Sequence, residues 1–276
     1  MLWNAGSPLG TIGLIAGQGE FPIVFAKAAL SLKRPVVVFG VEGYTDKRVE
    51  DFTSEAHYVG LGELGRLIDL LKQKKIRQVV FAGGVPKKQI YDPAFKLDPT
   101  AQDFISGARN KGDDHLLRAF ELFLKARCGI SVVDSRALLK KALAPRGVLT
   151  RRRPTPHEWQ GLRLGLRMAR HVGKMDIGQT VVIKDGAVLA VEAIEGTDRA
   201  IRRGGEWGHG DVVVVKAAKP NQALRFDLPC VGLDTLQTLQ EASSRVLGVE
   251  AGKTILISRE QLLEKADKQN MTLVGL

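Results

Sequence analysis

Cysteine is scarce in this 276-residue chain, which contains only Cys128 and Cys230, far apart in the sequence. A scaffold held by several disulfides is therefore excluded, and neither cysteine has a partner at the spacing of a zinc site. No apolar run approaches the ~20 residues that cross a bilayer, and the N-terminus lacks the basic-then-apolar layout of a signal peptide. These absences lead us to expect a cytoplasmic protein without a membrane-spanning segment.

Aromatic residues are also few, at 6% of the chain, whereas charged residues make up 26% and give a net charge of +11. An excess of positive charge favours an anionic partner, such as nucleic acid, an anionic membrane face or a phosphorylated small molecule. Because no basic stripe is interleaved with aromatic side chains on which bases could stack, we expect no nucleic-acid partner. A solvated basic surface would explain most of the charge equally well.

The common signatures of catalytic sites are missing as well. The sequence has no Gly-x-Ser-x-Gly elbow, no Walker A loop, no His-x-x-x-His pair and no Cys-x-x-Cys motif, and its five histidines are scattered. Serine hydrolases, P-loop NTPases and the usual zinc sites are therefore disfavoured. A chain poor in histidine and cysteine is better suited to a hard cation such as Mg²⁺, which prefers oxygen ligands.

What the chain does contain is an alternation of apolar runs and helical patterns through its first half. Residues 11–16, 35–40 and 78–82 are apolar runs that predict buried strands, and the patterns between and after them predict helices, one of them over residues 135–143. Strands that alternate with helices indicate a mostly parallel sheet covered on both faces. We therefore predict an α/β, Rossmann-like N-terminal domain over residues 1–143.

A break rich in proline and arginine follows this domain and predicts a linker over residues 144–156. Beyond the linker, Asp185-Gly186 separates two β-rich runs. This dipeptide is a strong hairpin signal, because a type I′ turn needs positive φ at both of its central residues. A further pattern predicts a helix over residues 235–247. Together these features predict an α+β C-terminal domain over residues 157–276.

Two glycine turns in the first half are candidate phosphate sites. Gly17 and Gly19 follow a predicted strand and precede a helix, so that backbone N–H groups could face an anion. Gly83 and Gly84 also follow a strand, at the edge where open α/β sheets bind ligands. In both cases an ordinary tight turn explains the glycines about as well. Pro22 stands where a dinucleotide fingerprint has its third glycine, which counts against binding of NAD(P).

Acidic residues stand near the start of two predicted helices. Asp113 and Asp114 precede an apolar helix, and because one N-cap needs only one carboxylate, binding of Mg²⁺ or of a hydroxyl group is a second interpretation. Glu192 interrupts an apolar strand, where a carboxylate needs a partner or exposure. Thr197 or Asp198 could cap the next helix and help to bind a diphosphate. An exposed amphipathic helix explains this second pattern slightly better than a diphosphate site does.

The stretch from residue 216 to residue 229 concentrates polar side chains in a loop bounded by prolines. Lys219 and Arg225 could neutralise phosphate charge beside the amide of Gln222. Asp227 could hold Mg²⁺ or activate water. Any surface loop carries such residues singly, but their density on one short loop favours a functional interpretation.

Six stretches of the sequence, in this order and spacing, resemble the LpxI family of UDP-2,3-diacylglucosamine pyrophosphatases. They are residues 13–22, 81–85, 111–119, 149–159, 176–205 and 216–232. The resemblance is most specific at 176–205. It implies a bacterial enzyme of lipid A biosynthesis that uses Mg²⁺ to hydrolyse the diphosphate of UDP-2,3-diacylglucosamine, giving UMP and 2,3-diacylglucosamine 1-phosphate (lipid X).

The resemblance also assigns roles to particular residues. Asp227 matches the aspartate of the family's Arg-x-Asp-x-Pro loop, so it is the expected catalytic residue and ligand of Mg²⁺, with Mn²⁺ as the alternative ion. Where the family has an aspartate directly after the loop's glutamine, this chain has Ala223. Either that position is not essential, or Glu192 or Asp198 completes the metal site together with Asp227. The residues expected to bind substrate are Gly17, Gly19, Gly83, Gly84, Asp113, Asp114, Thr197, Asp198, Lys219, Gln222 and Arg225.

A lipid substrate implies further partners. We expect the protein to bind UDP-2,3-diacylglucosamine and lipid X, and to associate peripherally with the cytoplasmic face of the inner membrane. The oligomeric state stays open, with a homodimer among the alternatives. Two other functions also stay open at this point, namely an NAD(P)-dependent oxidoreductase built on the first domain and a nucleotide-sugar-binding module without catalysis.

Overall fold

The computed structural model describes residues 10–85, 95–107, 113–219 and 228–276. Over these residues the chain forms two compact units, and the boundary between them lies between Leu139 and Lys140. Within the described parts of the chain, no helix is long and apolar enough to cross a bilayer.

The first unit contains a five-stranded sheet and the helices that connect its strands. The strands are β1 (Ile12–Ala16), β2 (Val36–Val41), β3 (Glu55–Val59), β4 (Gln78–Ala82) and β5 (Ser131–Val132), and the helices are α1 (Phe21–Ser31), α2 (Leu64–Gln73), α3 (Pro99–Gly107) and α4 (Asp113–Cys128). The strand order is β3-β2-β1-β4-β5, and every pairing is parallel. The predicted parallel sheet is thereby confirmed.

Strand β3 has no counterpart among the sequence predictions. It lies at the edge of the sheet, where only one side of the strand is paired, and most of its residues are half-buried. Its side chains are correspondingly polar, with the Glu55 carboxylate 2.9 Å from the His57 imidazole. An edge strand of this kind lacks the continuous apolar run by which the central parallel strands are recognised.

The second unit is built on a larger mixed sheet. Its strands are β6 (Gly147–Val148), β7 (Thr180–Lys184), β8 (Ala187–Val191), β9 (Val213–Lys216), β10 (Cys230–Val231), β11 (Val246–Val249), β12 (Ile255–Leu256) and β13 (Thr272–Gly275), and its helices are α5 (Pro156–Lys174), α6 (Thr197–Gly208), α7 (Leu233–Glu241) and α8 (Arg259–Lys268). Six strands follow the order β6-β13-β11-β9-β7-β8, and β10 pairs separately with β12. The predicted α+β composition is confirmed.

Strands β9, β11 and β13 are parallel to one another, whereas β7 and β8 form an antiparallel hairpin at one side of them. The hairpin turns at Asp185 and Gly186, whose φ angles are 50° and 80°. These are the positive values that the Asp-Gly signal predicts.

Alternate residues of the central strands form two apolar layers. Val181, Ile183 and Val215 point to the face where Leu162 of α5 packs. Val182 and Val214 point to the opposite face, with residues of α6, α7 and α8. This period of two is what a strand covered on both faces requires.

Two helix predictions are wrong. Over residues 135–143 the structure has only a short 3-10 helix, Ser135–Ala137, whose first turn is capped by Asp134. The helix predicted over residues 235–247 ends at Glu241, and strand β11 begins five residues later at Val246. Ser243 adopts a positive φ of 50° in the intervening turn. A short apolar run does not by itself distinguish a buried strand from the continuation of a helix.

Candidate active site

The two glycine turns of the first unit contact each other. The Gln18 N–H donates to the Gly84 carbonyl at 2.8 Å, and the Gly84 N–H donates back to the Gln18 carbonyl at 3.3 Å. A Cβ on Gly17 would lie 2.2 Å from the Gly84 oxygen, and a Cβ on Gly83 would lie 2.5 Å from the Gln18 oxygen. The close approach of two backbones therefore accounts for glycine at both positions. Gly19 has a φ of 87° in open space, and substrate binding by these turns stays a prediction.

We expect Gly17→Ala to destabilise the first unit by roughly 2 kcal/mol or more, because the new methyl group must displace backbone rather than a flexible side chain. Gly84→Ala is the matched control. Its Cβ would meet only the Gln18 side chain, at an ordinary contact distance of 3.5 Å. Thermal unfolding followed by circular dichroism measures both variants. Equal midpoints for Gly17→Ala and Gly84→Ala would contradict the contact between the turns.

In the second unit, several predicted residues come together where strand β9 ends. Strand β9 finishes at Lys216, which is in register with Thr180 at the start of β7. Strand β8 runs antiparallel to β7 and leads into Glu192 at the same edge. In open α/β sheets, ligands bind at the carboxyl ends of the parallel strands. This edge of the sheet is therefore the candidate site.

A chain of hydrogen bonds joins the segments at this edge. The buried Lys216 ammonium donates to the Thr197 hydroxyl at 3.2 Å and to the Cys230 carbonyl at 3.1 Å. The Thr197 hydroxyl in turn donates to Glu192 Oε1 at 2.9 Å. The other oxygen of this buried carboxylate accepts from the Gln179 N–H at 3.4 Å. The ends of β8 and β9 and the starts of α6 and β10 are thereby tied together.

Helix α6 begins at this network. The residue before it, Gly196, has a φ of 86° and provides no side-chain cap, so the first N–H groups of the helix are left for other acceptors. Thr197 opens the helix, and Asp198 is exposed in its first turn. A helix N-terminus beside a buried lysine favours negative charge. The predicted cap by Thr197 or Asp198 is wrong, because the N-cap is Gly196 and the Thr197 hydroxyl donates to Glu192 instead. Binding of a diphosphate at this helix start stays a prediction.

Lys219 lies three residues beyond the end of β9. Its buried ammonium donates to the Asp176 carboxylate at 2.7 Å, an ion pair in which the Asp176 side chain is 19% exposed. The sequence interpretation gave Lys219 a phosphate-binding role but did not identify Asp176. A salt bridge at 2.7 Å fixes the lysine at the edge of the sheet.

Sequence reasoning also missed Glu250, which follows strand β11 directly. The Glu250 side chain is 3% exposed, and its Oε1 accepts from Arg170 at 2.7 Å and from Lys253 at 2.9 Å. Its Oε2 accepts from the backbone N–H of Ala218 at 3.0 Å. Burial raises the pKa of the Glu250 carboxyl, but hydrogen bonds from Lys253 and Arg170 outweigh that effect and hold the pKa below its ordinary value. The carboxylate is therefore ionised at neutral pH.

The predictions for the loop after β9 and for the start of α4 stay untested. Gln222, Ala223, Arg225 and Asp227 lie outside the described residues. Asp113 and Asp114 form the first turn of α4. Their predicted roles stay predictions.

The fit of Mg²⁺ depends on the carboxylates at the edge of the sheet. Within the described ranges, no three histidine, cysteine or acidic side chains are grouped as a metal site. The Glu192 carboxylate accepts from the Thr197 hydroxyl, which in turn accepts from the Lys216 ammonium. Glu192 could therefore provide at most one oxygen ligand to a metal ion. Because Mg²⁺ is commonly held by one or two carboxylates together with substrate phosphates and water, such a site would need Asp227 as its main ligand.

Comparisons with known proteins cover both units. The model of the LpxI N-terminal domain matches residues 11–142, and the model of the LpxI C-terminal domain matches residues 145–274. A curated relative, the UDP-2,3-diacylglucosamine pyrophosphatase LpxI of Caulobacter vibrioides, is 31% identical over 280 residues, which covers 96% of this chain and 97% of the relative.

Similarity to solved structures is weak. The biotin carboxylase domain of 2-oxoglutarate carboxylase from Hydrogenobacter thermophilus matches at a TM-score of 0.28 and 14% identity, over 71% of this chain and 40% of that chain. Glycinamide-RNase-transformylase T from Mycobacterium tuberculosis matches at a TM-score of 0.24 and 14% identity, over 67% of this chain and 44% of that chain. This chain spans less than half of either structure, and likeness at this level supports no inference.

Proposed function

Since the chain belongs to the LpxI family and is a phosphoanhydride hydrolase, we propose that it cleaves the diphosphate of UDP-2,3-diacylglucosamine in lipid A biosynthesis. The products would be UMP and 2,3-diacylglucosamine 1-phosphate (lipid X). The observation that carries the proposal is the match of both family domains, in order, together with 31% identity to a curated pyrophosphatase over 96% of the chain.

The chemistry of the candidate site supports this substrate class. A diphosphate brings negative charge to the edge of the sheet, where Lys216 and Lys219 are both buried and helix α6 begins with uncapped N–H groups. In a site shielded from water, such fixed positive groups stabilise charge that develops as a phosphoanhydride breaks. The Lys219 ammonium would then donate to a phosphate oxygen, either instead of the Asp176 carboxylate or in addition to it.

In the proposed reaction a water oxygen bonds to the phosphorus on the sugar side, the bridging P–O bond breaks, and UMP departs with the bridging oxygen. A bound Mg²⁺ would offset phosphate charge and lower the pKa of water. Asp227 would hold that ion or orient the attacking water. Lys216 and Lys219 would stabilise the phosphate oxygens.

Nothing in the described residues favours an NAD(P)-dependent oxidoreductase. The parallel sheet of the first unit is shared by proteins of many functions. Its two glycine turns are accounted for by their contact with each other, because Gly17 and Gly83 pack against carbonyl oxygens of the facing turn.

The proposal is tested by incubating the purified protein with UDP-2,3-diacylglucosamine and Mg²⁺ and measuring release of UMP. UDP-N-acetylglucosamine, which has the same diphosphate but only a short acetyl group in place of the two long acyl chains, is the control substrate. We expect turnover of the acylated substrate and little of the control. A folded protein that releases no UMP from the acylated substrate would refute the proposal.

Two loops at the same edge expose apolar side chains. Ile177 precedes β7 and is 47% exposed, and Ile194 follows β8 and is 70% exposed. The loops are neighbours, because the Glu192 carboxylate accepts from the Gln179 N–H. A diacylated substrate resides in a membrane, and the net charge of +11 attracts anionic lipid. We therefore propose that Ile177 and Ile194 enter the surface of the inner membrane when the enzyme binds peripherally.

The double variant Ile177→Ser/Ile194→Ser should bind vesicles of phosphatidylglycerol and phosphatidylethanolamine about fivefold less tightly, because each isoleucine loses apolar burial in the bilayer surface. The control is Val188→Ser. Val188 is also exposed but lies near the amino end of β8, beside the hairpin turn. Cosedimentation with vesicles measures binding. An equal loss for the control, or no loss for the double variant, would argue against this surface.

A further inference from the structure

The two carboxylate oxygens of Glu250 accept hydrogen bonds from different kinds of partner. Oε1 accepts from the cationic side chains of Arg170 and Lys253, whereas Oε2 accepts from the backbone N–H of Ala218. The residue is 2% exposed. A charge so deeply buried is expensive unless it is paired, and the two cations provide that pairing.

Stability alone is a poor explanation for this arrangement. Buried ion pairs can often be replaced by apolar residues without loss of stability, because the cost of removing the charges from water offsets their attraction. A carboxylate provides an acceptor for the N–H of Ala218, whereas an apolar side chain does not. The position of Ala218 is therefore the property that depends on Glu250.

Ala218 lies in the segment that leaves the sheet after β9. On one side, the Ala217 N–H donates to the Gln179 carbonyl at 2.9 Å. On the other side, the Ala218 N–H donates to Glu250 at 3.0 Å. Lys219 comes next, with its ammonium 2.7 Å from Asp176. The backbone immediately before the lysine is thus held by Gln179, which precedes β7, and by Glu250, which follows β11.

We propose that Glu250 is a positioning residue for the hydrolysis, which fixes the backbone at Ala218 and thereby places the Lys219 ammonium for the substrate's diphosphate. The inference rests on the proposed function. Arg170 and Lys253 are the counter-ions that keep the carboxylate charged. A displacement of about 1 Å in a group that stabilises the transition state lowers the rate steeply. A shift of the backbone at Ala218, which would displace the Lys219 ammonium, should therefore lower kcat.

The test is a double-mutant cycle on the full chain with UDP-2,3-diacylglucosamine. Glu250→Met should lower kcat about tenfold, and Lys219→Met should lower it at least as much. If Glu250 acts through Lys219, the kcat of the double variant should lie within about twofold of the kcat of Lys219→Met. Once the lysine is gone, removing Glu250 has no further effect on the reaction. Independent effects would instead multiply to about a hundredfold.

A control and a second variant keep the result interpretable. Lys253→Met removes one counter-ion but leaves Ala218 its acceptor, so we expect kcat within about twofold of wild type. If Glu250→Met does not fold, Glu250→Asp enters the same cycle, because its shorter side chain keeps the negative charge but withdraws the acceptor from the Ala218 N–H.

The outcomes separate the two proposals. Wild-type protein without turnover contradicts the proposed function. Wild-type turnover with multiplicative losses, or with normal kcat in the Glu250 variant, contradicts the positioning role alone.

Discussion

Asp227→Asn is expected to lower kcat by at least about a hundredfold, which corresponds to a loss of roughly 3 kcal/mol of transition-state stabilisation. Asp227 follows Arg225 in a loop that also carries Lys219 and Gln222. An aspartate beside substrate phosphates is unfavourable unless a cation intervenes or the carboxylate orients water. In both roles the negative charge of the carboxylate takes part in the chemical step. Asparagine is neutral and cannot replace that charge.

Substrate affinity should largely survive this change, because Lys219, Arg225 and the N-terminus of α6 remain. The alternative is that Asp227 only stabilises its loop, in which case the melting temperature would fall together with activity. Asp234→Asn, an exposed carboxylate in the first turn of α7, is the matched control. Kinetics and thermal unfolding measured on one preparation distinguish the two explanations.

Near-normal turnover by Asp227→Asn would remove Asp227 from the mechanism. The next carboxylates to test would then be Asp113, Asp114, Glu192 and Asp198.

Removal of divalent cations is expected to abolish turnover, with a loss of at least about a hundredfold, and added Mg²⁺ or Mn²⁺ should restore it. The substrate's diphosphate is strongly anionic, and the buried lysines of the site are already engaged by Thr197 and Asp176. We therefore expect that an additional cation offsets the charge on the leaving UMP.

The measurement is UMP release after treatment with EDTA and desalting, with EDTA already saturated by Mg²⁺ as the control. Thermal unfolding of the same samples should change little, because no acidic cluster among the described residues would be left unpaired by loss of the ion. Full turnover in metal-free buffer would contradict a role for Mg²⁺.

Local sequence signals predicted the parts of the fold that depend on local physics. Strands β1, β2 and β4 of the first unit are continuous apolar runs. The hairpin at Asp185 and Gly186 follows from the φ angles that its turn requires. The errors arose where tertiary context decides. Strand β3 is a polar edge strand. The first two residues of β11 lie within the predicted helix, because their apolar side chains fit either structure.

The candidate site shows the same division. Glu192, Thr197 and Lys219 could be selected as candidates from the sequence because each stands out within its own segment. Glu250 was not found, since its significance lies in contacts with Ala218, 32 residues away, and with Arg170, 80 residues away. Such partners become neighbours only when β9 and β11 pair and α5 packs on the sheet. Local patterns along the sequence do not show which distant residues become neighbours in the fold.

The central claim is that this chain hydrolyses the diphosphate of UDP-2,3-diacylglucosamine, and analysis of the reaction products by mass spectrometry tests it most directly. The purified protein is incubated with the substrate and Mg²⁺ in water labelled with heavy oxygen. We predict equal amounts of UMP and lipid X, with the heavy oxygen in the phosphate of lipid X. Intact substrate after incubation with folded protein, or release of UDP in place of UMP, would contradict the account.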